Sequence, residues 1–126
     1  MKKYLNAKGK GKHSYDYAND ILYISIKGEE YEESIDFNEF IIDFNKDNLI
    51  IGLRIIDASK KLNIPKYCLN ALKGFRFDAQ VNKGEIHLQL SLRYEQRNKQ
   101  IQNTAINFLR DAPNHQLNDS QATASI

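Results

Sequence analysis

Hydrophobic and polar positions alternate with a period of two through much of the chain. Ile86, Leu88, Leu90, Leu92 and Tyr94 interleave with His87, Gln89, Ser91 and Arg93, which predicts a strand with one buried face and one wet face. Phe75, Phe77, Ala79 and Val81 alternate likewise with Arg76, Asp78 and Gln80, and Asn82-Lys83-Gly84 supplies a turn between the two runs, so they predict a hairpin. Beyond the polar link Arg97 to Gln100, the β-branched and aromatic residues of Ile101 to Leu109 suit the next strand of a meander, with an amphipathic helical turn around Asn107 to Leu109 as the alternative.

The first half repeats the style. Tyr15-Asp16-Tyr17 leads through the turn pair Asn19-Asp20 into Ile21 to Ile26, and Lys27 to Glu30 closes that hairpin. Tyr31 to Phe37 and Phe40 to Phe44 read as further strands. Leu49 to Ile56, apolar on both faces, reads as a central, doubly covered strand. The period then changes. Asp57 offers an N-cap for a short helix through Leu62, and Pro65 suits the first turn of a second helix, Pro65 to Leu72, ended by Gly74. The predicted class is α+β: an antiparallel meander sheet in two groups of strands, with one or two short mid-chain helices covering one face.

Charge adds organisation. Lys2, Lys3, Lys8, Lys10 and Lys12 stand among glycines with no acid nearby, which reads as a flexible basic arm over residues 1–12. Glu29, Glu30, Glu32, Glu33, Asp36, Glu39 and Asp43 follow one another without a lysine or arginine, so an acidic face is expected there. Positive charge returns at Lys60, Lys61, Lys66, Lys73 and Arg76, and at Arg93, Arg97 and Lys99. Residues 111–126 are rich in Asn, Gln, Ser, Thr and Ala, and read as a disordered tail. A single domain is expected over 13–110, built of halves 13–62 and 63–110. With 126 residues, 41% hydrophobic and 27% charged, one core suffices without disulfides or metal. The one cysteine, Cys68, rules out an internal disulfide and points to a reducing compartment. No apolar run is long enough for a spanning helix and no signal peptide opens the chain, so the expected location is the cytoplasm, away from membranes.

The Tyr15-Asp16 opening, the Asp20-Ile21-Leu22-Tyr23-Ile24 strand, Glu33, Ile41 to Phe44, Leu49 to Gly52 and the helix entry Ile55 to Leu62 resemble, in order and spacing, the domain of unknown function 2283 family of small prokaryotic proteins. The likeness covers about residues 13–62, with Tyr15, Asp16, Asp20, Tyr23, Asp57 and Ser59 on the family pattern. It departs around Ala18 and in the Asn45 to Asn48 turn. The resemblance implies a small meander sheet closed by a helix, no established reaction, and a role as the toxin-neutralising member of a pair. The part from Pro65 onward is similar to an extension of larger members.

Candidate chemistry is sparse. Asp16, Asp20 and Asp57 would form a metal or acid/base site if gathered. A turn and a helix start, however, favour short carboxylates for backbone hydrogen bonds alone. His13, His87 and His115 stand apart with no ligand at metal spacing. Cys68 reads as a small buried apolar residue. Gly9-Lys10-Gly11-Lys12 lacks the spacing and hydroxyl of a phosphate loop. No catalytic residue, cofactor or metal is expected, and the reading leans away from an enzyme.

Two functions of different class remain. The first is an antitoxin-like, non-enzymatic interaction protein that binds and neutralises a basic protein partner through Glu29, Glu30, Glu32, Glu33 and Asp36. The alternative is a nucleic-acid-binding module that uses Lys2, Lys3, Lys8, Lys10, Lys12, Arg93 and Arg97. A homodimer through an open sheet edge is a further expected state.

Overall fold

The computed structural model describes residues 5–38, 40–111, 117 and 119–125, with residues 5–8 described in backbone alone. Nine strands and two short helices follow in order: β1 (Leu5–Asp16), β2 (Ile21–Ile26), β3 (Glu33–Asp36), β4 (Ile41–Phe44), β5 (Ile50–Ile56), α1 (Ala58–Leu62), α2 (Lys66–Leu69), β6 (Gly74–Asn82), β7 (Glu85–Gln96), β8 (Lys99–Asp111) and β9 (Ser120–Ser125). The described strands form one sheet in the order β3-β4-β5-β2-β1-β9-β6-β7-β8.

The mostly-β architecture with two short helices agrees with the coarse expectation, but the sheet is mixed. β1 and β9 run parallel, from Leu5 opposite Ser120 to Lys10 opposite Ser125, whereas the other pairs are antiparallel. β1 joins the two groups of strands: its first half pairs with β9 and its second half, Gly11 to Asp16, pairs with β2. The sheet curls, because Phe37 and Phe40, beside the β3–β4 turn, stack edge-on against Phe108 of β8 at 5.7 and 4.9 Å. One core cluster draws on both groups, from Leu22 and Leu53 to Phe77 and Leu90.

The reading of both termini needs correction. Residues 5–12 are strand, not flexible arm. Their glycines alternate with lysines and stand where a side chain would collide: a Cβ on Gly11 would lie 2.1 Å from Phe75 Cζ, and one on Gly9 3.2 Å from Ile26 Cγ2. Glycine marks close approach here rather than freedom. Residues 120–125 likewise form β9, between β1 and β6. Ala122 and Ala124 are buried, Ala124 directly across from Phe77, and Leu117 is buried too. Small inward residues suit a strand flanked by large ones, and they hide it from a hydrophobicity count.

Smaller differences have local causes. Ile101 to Leu109 lies in strand β8 rather than helix, and Ala105 is the extra residue of a bulge between the pairs Leu90–Ile106 and Ser91–Thr104. The second helix stops at Leu69, short of Leu72, because the Lys73 amide donates to the Arg93 carbonyl at 2.8 Å and commits the chain to the sheet.

Candidate functional site

Two polar clusters stand in the first half of the molecule. In the first, Asp20 takes a left-handed conformation, φ 55°, as short carboxylate residues can, and turns its buried carboxylate toward α1. It accepts the Tyr15 hydroxyl at 2.7 Å, the Ser59 hydroxyl at 2.6 Å and the Ser59 amide at 3.0 Å, while its own carbonyl accepts the Ala58 amide at 2.9 Å. Burial pushes the Asp20 carboxyl up, but the hydrogen bonds from Ser59 and Tyr15 outweigh it and hold the group below its ordinary range. Burial, then the facing Asp20 carboxylate, raises the Tyr15 phenol.

Asp20 therefore caps α1 from 39 residues away. Asp57, the expected cap, makes no side-chain cap bond. Its own φ is 55°, and its carbonyl instead accepts the amides of Lys60 and Lys61. Asp16 binds the Asn19 amide and side chain at 3.0 and 2.8 Å in an exposed turn, which lowers its carboxyl. The three aspartates thus serve separate backbone tasks, and among the described residues no group of three metal-binding side chains occurs.

The second cluster was not singled out from the sequence. Asp43, 2% exposed, accepts Arg54 Nη2 at 2.7 Å and the Ser34 hydroxyl at 2.7 Å. Arg54 Nη2 also reaches Ser34 Oγ at 2.6 Å, and the Tyr31 hydroxyl lies 3.1 Å from the same Ser34 oxygen. The hydrogen bond to Asp43 raises Arg54, and burial followed by the Asp43 charge raises Tyr23. A usable signal exists in the sequence, since Asp43 and Arg54 each interrupt an otherwise apolar strand, and a charge inside such a run needs a partner. Gly52 leaves room for the group: its Cβ would lie 3.1 Å from the Ile24 carbonyl oxygen and 3.3 Å from the Tyr23 hydroxyl. A cavity of about 310 Å³ opens on Tyr23, Tyr31, Asp43 and Arg54. A larger one, about 530 Å³, adjoins it through Tyr23 and Tyr31 and extends to Lys12, His13 and Lys27.

The acidic residues lie together. Glu29, Glu30 and Glu32 are exposed on the β2–β3 connection, Glu33 is half-buried and Asp36 exposed on β3. Asn45 Nδ2 donates to Glu29 at 3.3 Å and Asp36 accepts the Asn38 amide at 2.7 Å. Of the basic candidates, Lys10 and Lys12 are exposed on β1, Arg93 is exposed on β7, and Arg97 sits in the β7–β8 turn with φ 53°. Lys8 is placed by its backbone in β1. Lys2, Lys3, Glu39 and His115 lie outside the described residues. His13 packs edge-on against Phe75 at 5.8 Å, His87 Nε2 meets Asn107 Oδ1 at 2.9 Å, and Cys68 is buried with Sγ 3.6 Å from the Glu95 carbonyl.

A curled mixed sheet with short helices, two buried carboxylate clusters and segregated charge defines a small β-rich protein whose known features are architectural. Residues 12–59 match the family described as protein of unknown function (DUF2283), and the chain belongs to that family. A protein of Methanosarcina mazei named putative hypoxanthine phosphoribosyltransferase is 31% identical over 90 residues, 71% of this chain and 73% of that protein. An uncharacterized protein of Methanocaldococcus jannaschii is 34% identical over 94 residues, 73% of this chain and 80% of the relative. No solved structure matches. Among the described residues, no helix is long and apolar enough to cross a membrane.

Proposed function

We infer that the chain is a protein-binding module that holds a basic partner against its acidic sheet edge, in the manner of the neutralising member of a toxin pair. The supporting observation is the coincidence of charge and edge. β3 ends the sheet with only four residues, and the exposed Glu29, Glu30, Glu32 and Asp36 surround it. An edge strand offers backbone hydrogen bonds to an added strand, and a single sign of charge speeds encounter with a basic protein and rejects acidic ones. The same charges keep a bare edge from pairing indiscriminately.

The Methanosarcina relative's name is not carried over. A phosphoribosyl transfer needs a cradle for phosphate, and the segment with the most glycine, Gly9 to Lys12, turns its glycines onto Ile26 and Phe75.

The test is affinity purification of the tagged protein from its native cells beside a variant with Glu29, Glu30, Glu32 and Glu33 replaced by lysine. A small basic protein recovered with the wild type and lost with the variant is the expected result. Retention of every co-purifying protein by the variant would sink the reading.

A further inference from the structure

A second charged surface lies on the outer face of the sheet. Strand register puts Lys10 beside Ser125, Ser125 beside Arg76 and Arg76 beside Ser91, so one row crosses β1, β9, β6 and β7. Directly opposed residues share a face, and residues two apart along a strand share it as well. Lys12, two beyond Lys10 and opposite Ser25, and Arg93, two beyond Ser91 and opposite Gly74, therefore extend the row at its ends. Lys10, Lys12, Arg76 and Arg93 are exposed. The row spans three strand spacings, about 14 Å. Hydroxyls of Ser125 and Ser91 alternate with the cations, a mixture that suits phosphate oxygens. Asp78 is the acid nearest along β6, and it is half-buried. At the β1 end the row runs into the 530 Å³ cavity, where Lys12 and Lys27 meet Tyr23, Tyr31 and one acid, Glu29; Tyr31 is 57% exposed.

We propose that this outer face binds single-stranded nucleic acid, with its backbone along Lys12, Lys10, Arg76 and Arg93 and a base against Tyr31 in the cavity. Cations that track a backbone beside an aromatic platform are what unpaired strands require. A duplex is read by an element that enters its groove, whereas this surface is the broad outer face of a sheet, and the described helices have five and four residues. The cationic row runs away from the acidic edge across β9, β6 and β7, and the two surfaces meet only at the cavity, which Glu29 also lines.

The experiment is fluorescence anisotropy with a mixed-sequence oligonucleotide of about 12 nucleotides, as DNA and as RNA, titrated between about 50 and 200 mM salt. Four phosphate contacts on a single strand predict a slope of log K against log salt of about −3. The triple variant Lys10→Gln, Lys12→Gln, Arg76→Gln should flatten it to about −1. Tyr31→Ala should weaken binding roughly 5- to 100-fold with little change in slope. All four positions are exposed, and thermal melting confirms that the variants fold. Absence of binding at the lowest salt, an unchanged slope in the triple variant, or duplex bound as tightly as single strand each overturns the proposal. The variant with Glu29, Glu30, Glu32 and Glu33 replaced by lysine adds cations beside Tyr31, so it should bind the oligonucleotide at least as tightly as wild type while losing the basic protein; loss of the oligonucleotide in it also overturns this proposal.

Discussion

The two halves of the sheet keep their order by different means. In β6 and β7 every second residue is buried and apolar, from Phe75 to Val81 and from Ile86 to Tyr94, while the intervening ones are exposed or half-buried. The front strands, β1 to β5, and the turns between them bury polar groups as well: among the described residues the buried polar side chains are Asp20, Ser25, Asp43, Asn45 and Ser120, and all but Ser120 lie there. The back sheet is held by apolar area, which is non-directional. The front half adds hydrogen bonds that are satisfied in one arrangement only, so its buried carboxylates select register and helix placement more than they add stability.

The sharpest way to test that contrast is to delete apolar volume from the back. Phe77 is fully buried in β6, and Phe77→Ala should cost about 3–5 kcal/mol, with the residual cavity adding to the lost transfer energy. Urea unfolding would show it as a lower midpoint at similar slope. A cost below about 1 kcal/mol would mean that the back sheet is not the apolar anchor it is argued to be.

In the front half the expected response is smaller and can be rescued. Asp43→Ala leaves Arg54 and Ser34 without their acceptor and should cost about 2–3 kcal/mol, less than for a fully buried pair because the Arg54 side chain is 35% exposed. Asp43→Leu combined with Arg54→Met should return the protein to within about 1 kcal/mol of wild type, since two apolar side chains of similar volume remove both charges at once. A double variant as unstable as the single one would show that the pair itself supplies net stability.

How far this architecture was legible follows the same divide. β6 and β7 could be read directly, since their inward side chains are large and apolar and the period is unbroken. β1 and β9 could not. Their inward positions hold Gly9, Gly11, Ala122 and Ala124, small because Ile26 and Phe75 already occupy the space beside the glycines and Phe77 lies across from Ala124. A composition argument then sees flexibility where the chain is most closely approached. The parallel β1–β9 pair joins the two ends of the chain, and no local pattern announces so distant a pairing. Of the site residues, Tyr15, Asp20 and Ser59 were marked by the family likeness, but their convergence on one carboxylate is a tertiary fact that spans 39 positions. The acidic segment was visible as charge; that it borders an edge strand was not.

The smallest expected effect is a pH dependence. The Asp20 carboxyl is held below its ordinary value in the folded chain, so the charged form binds the fold better than the protonated one. Its contribution is complete above the unfolded value of about 3.9 and is lost as pH falls through the lower folded value. Asp20→Asn keeps an acceptor for the Ser59 amide but removes the charge, so at neutral pH it should destabilise by about 1–2 kcal/mol. That gap should stay constant down to about pH 5 and close below about pH 4 as the wild type loses its advantage. The lowered Asp16 carboxyl titrates in both proteins and cancels in the difference. Paired denaturation curves across acid pH measure the gap. One that stayed constant to the lowest pH would mean that the capping bonds to α1 act through their geometry alone, and the front half would then resemble the back, ordered by shape rather than by charge.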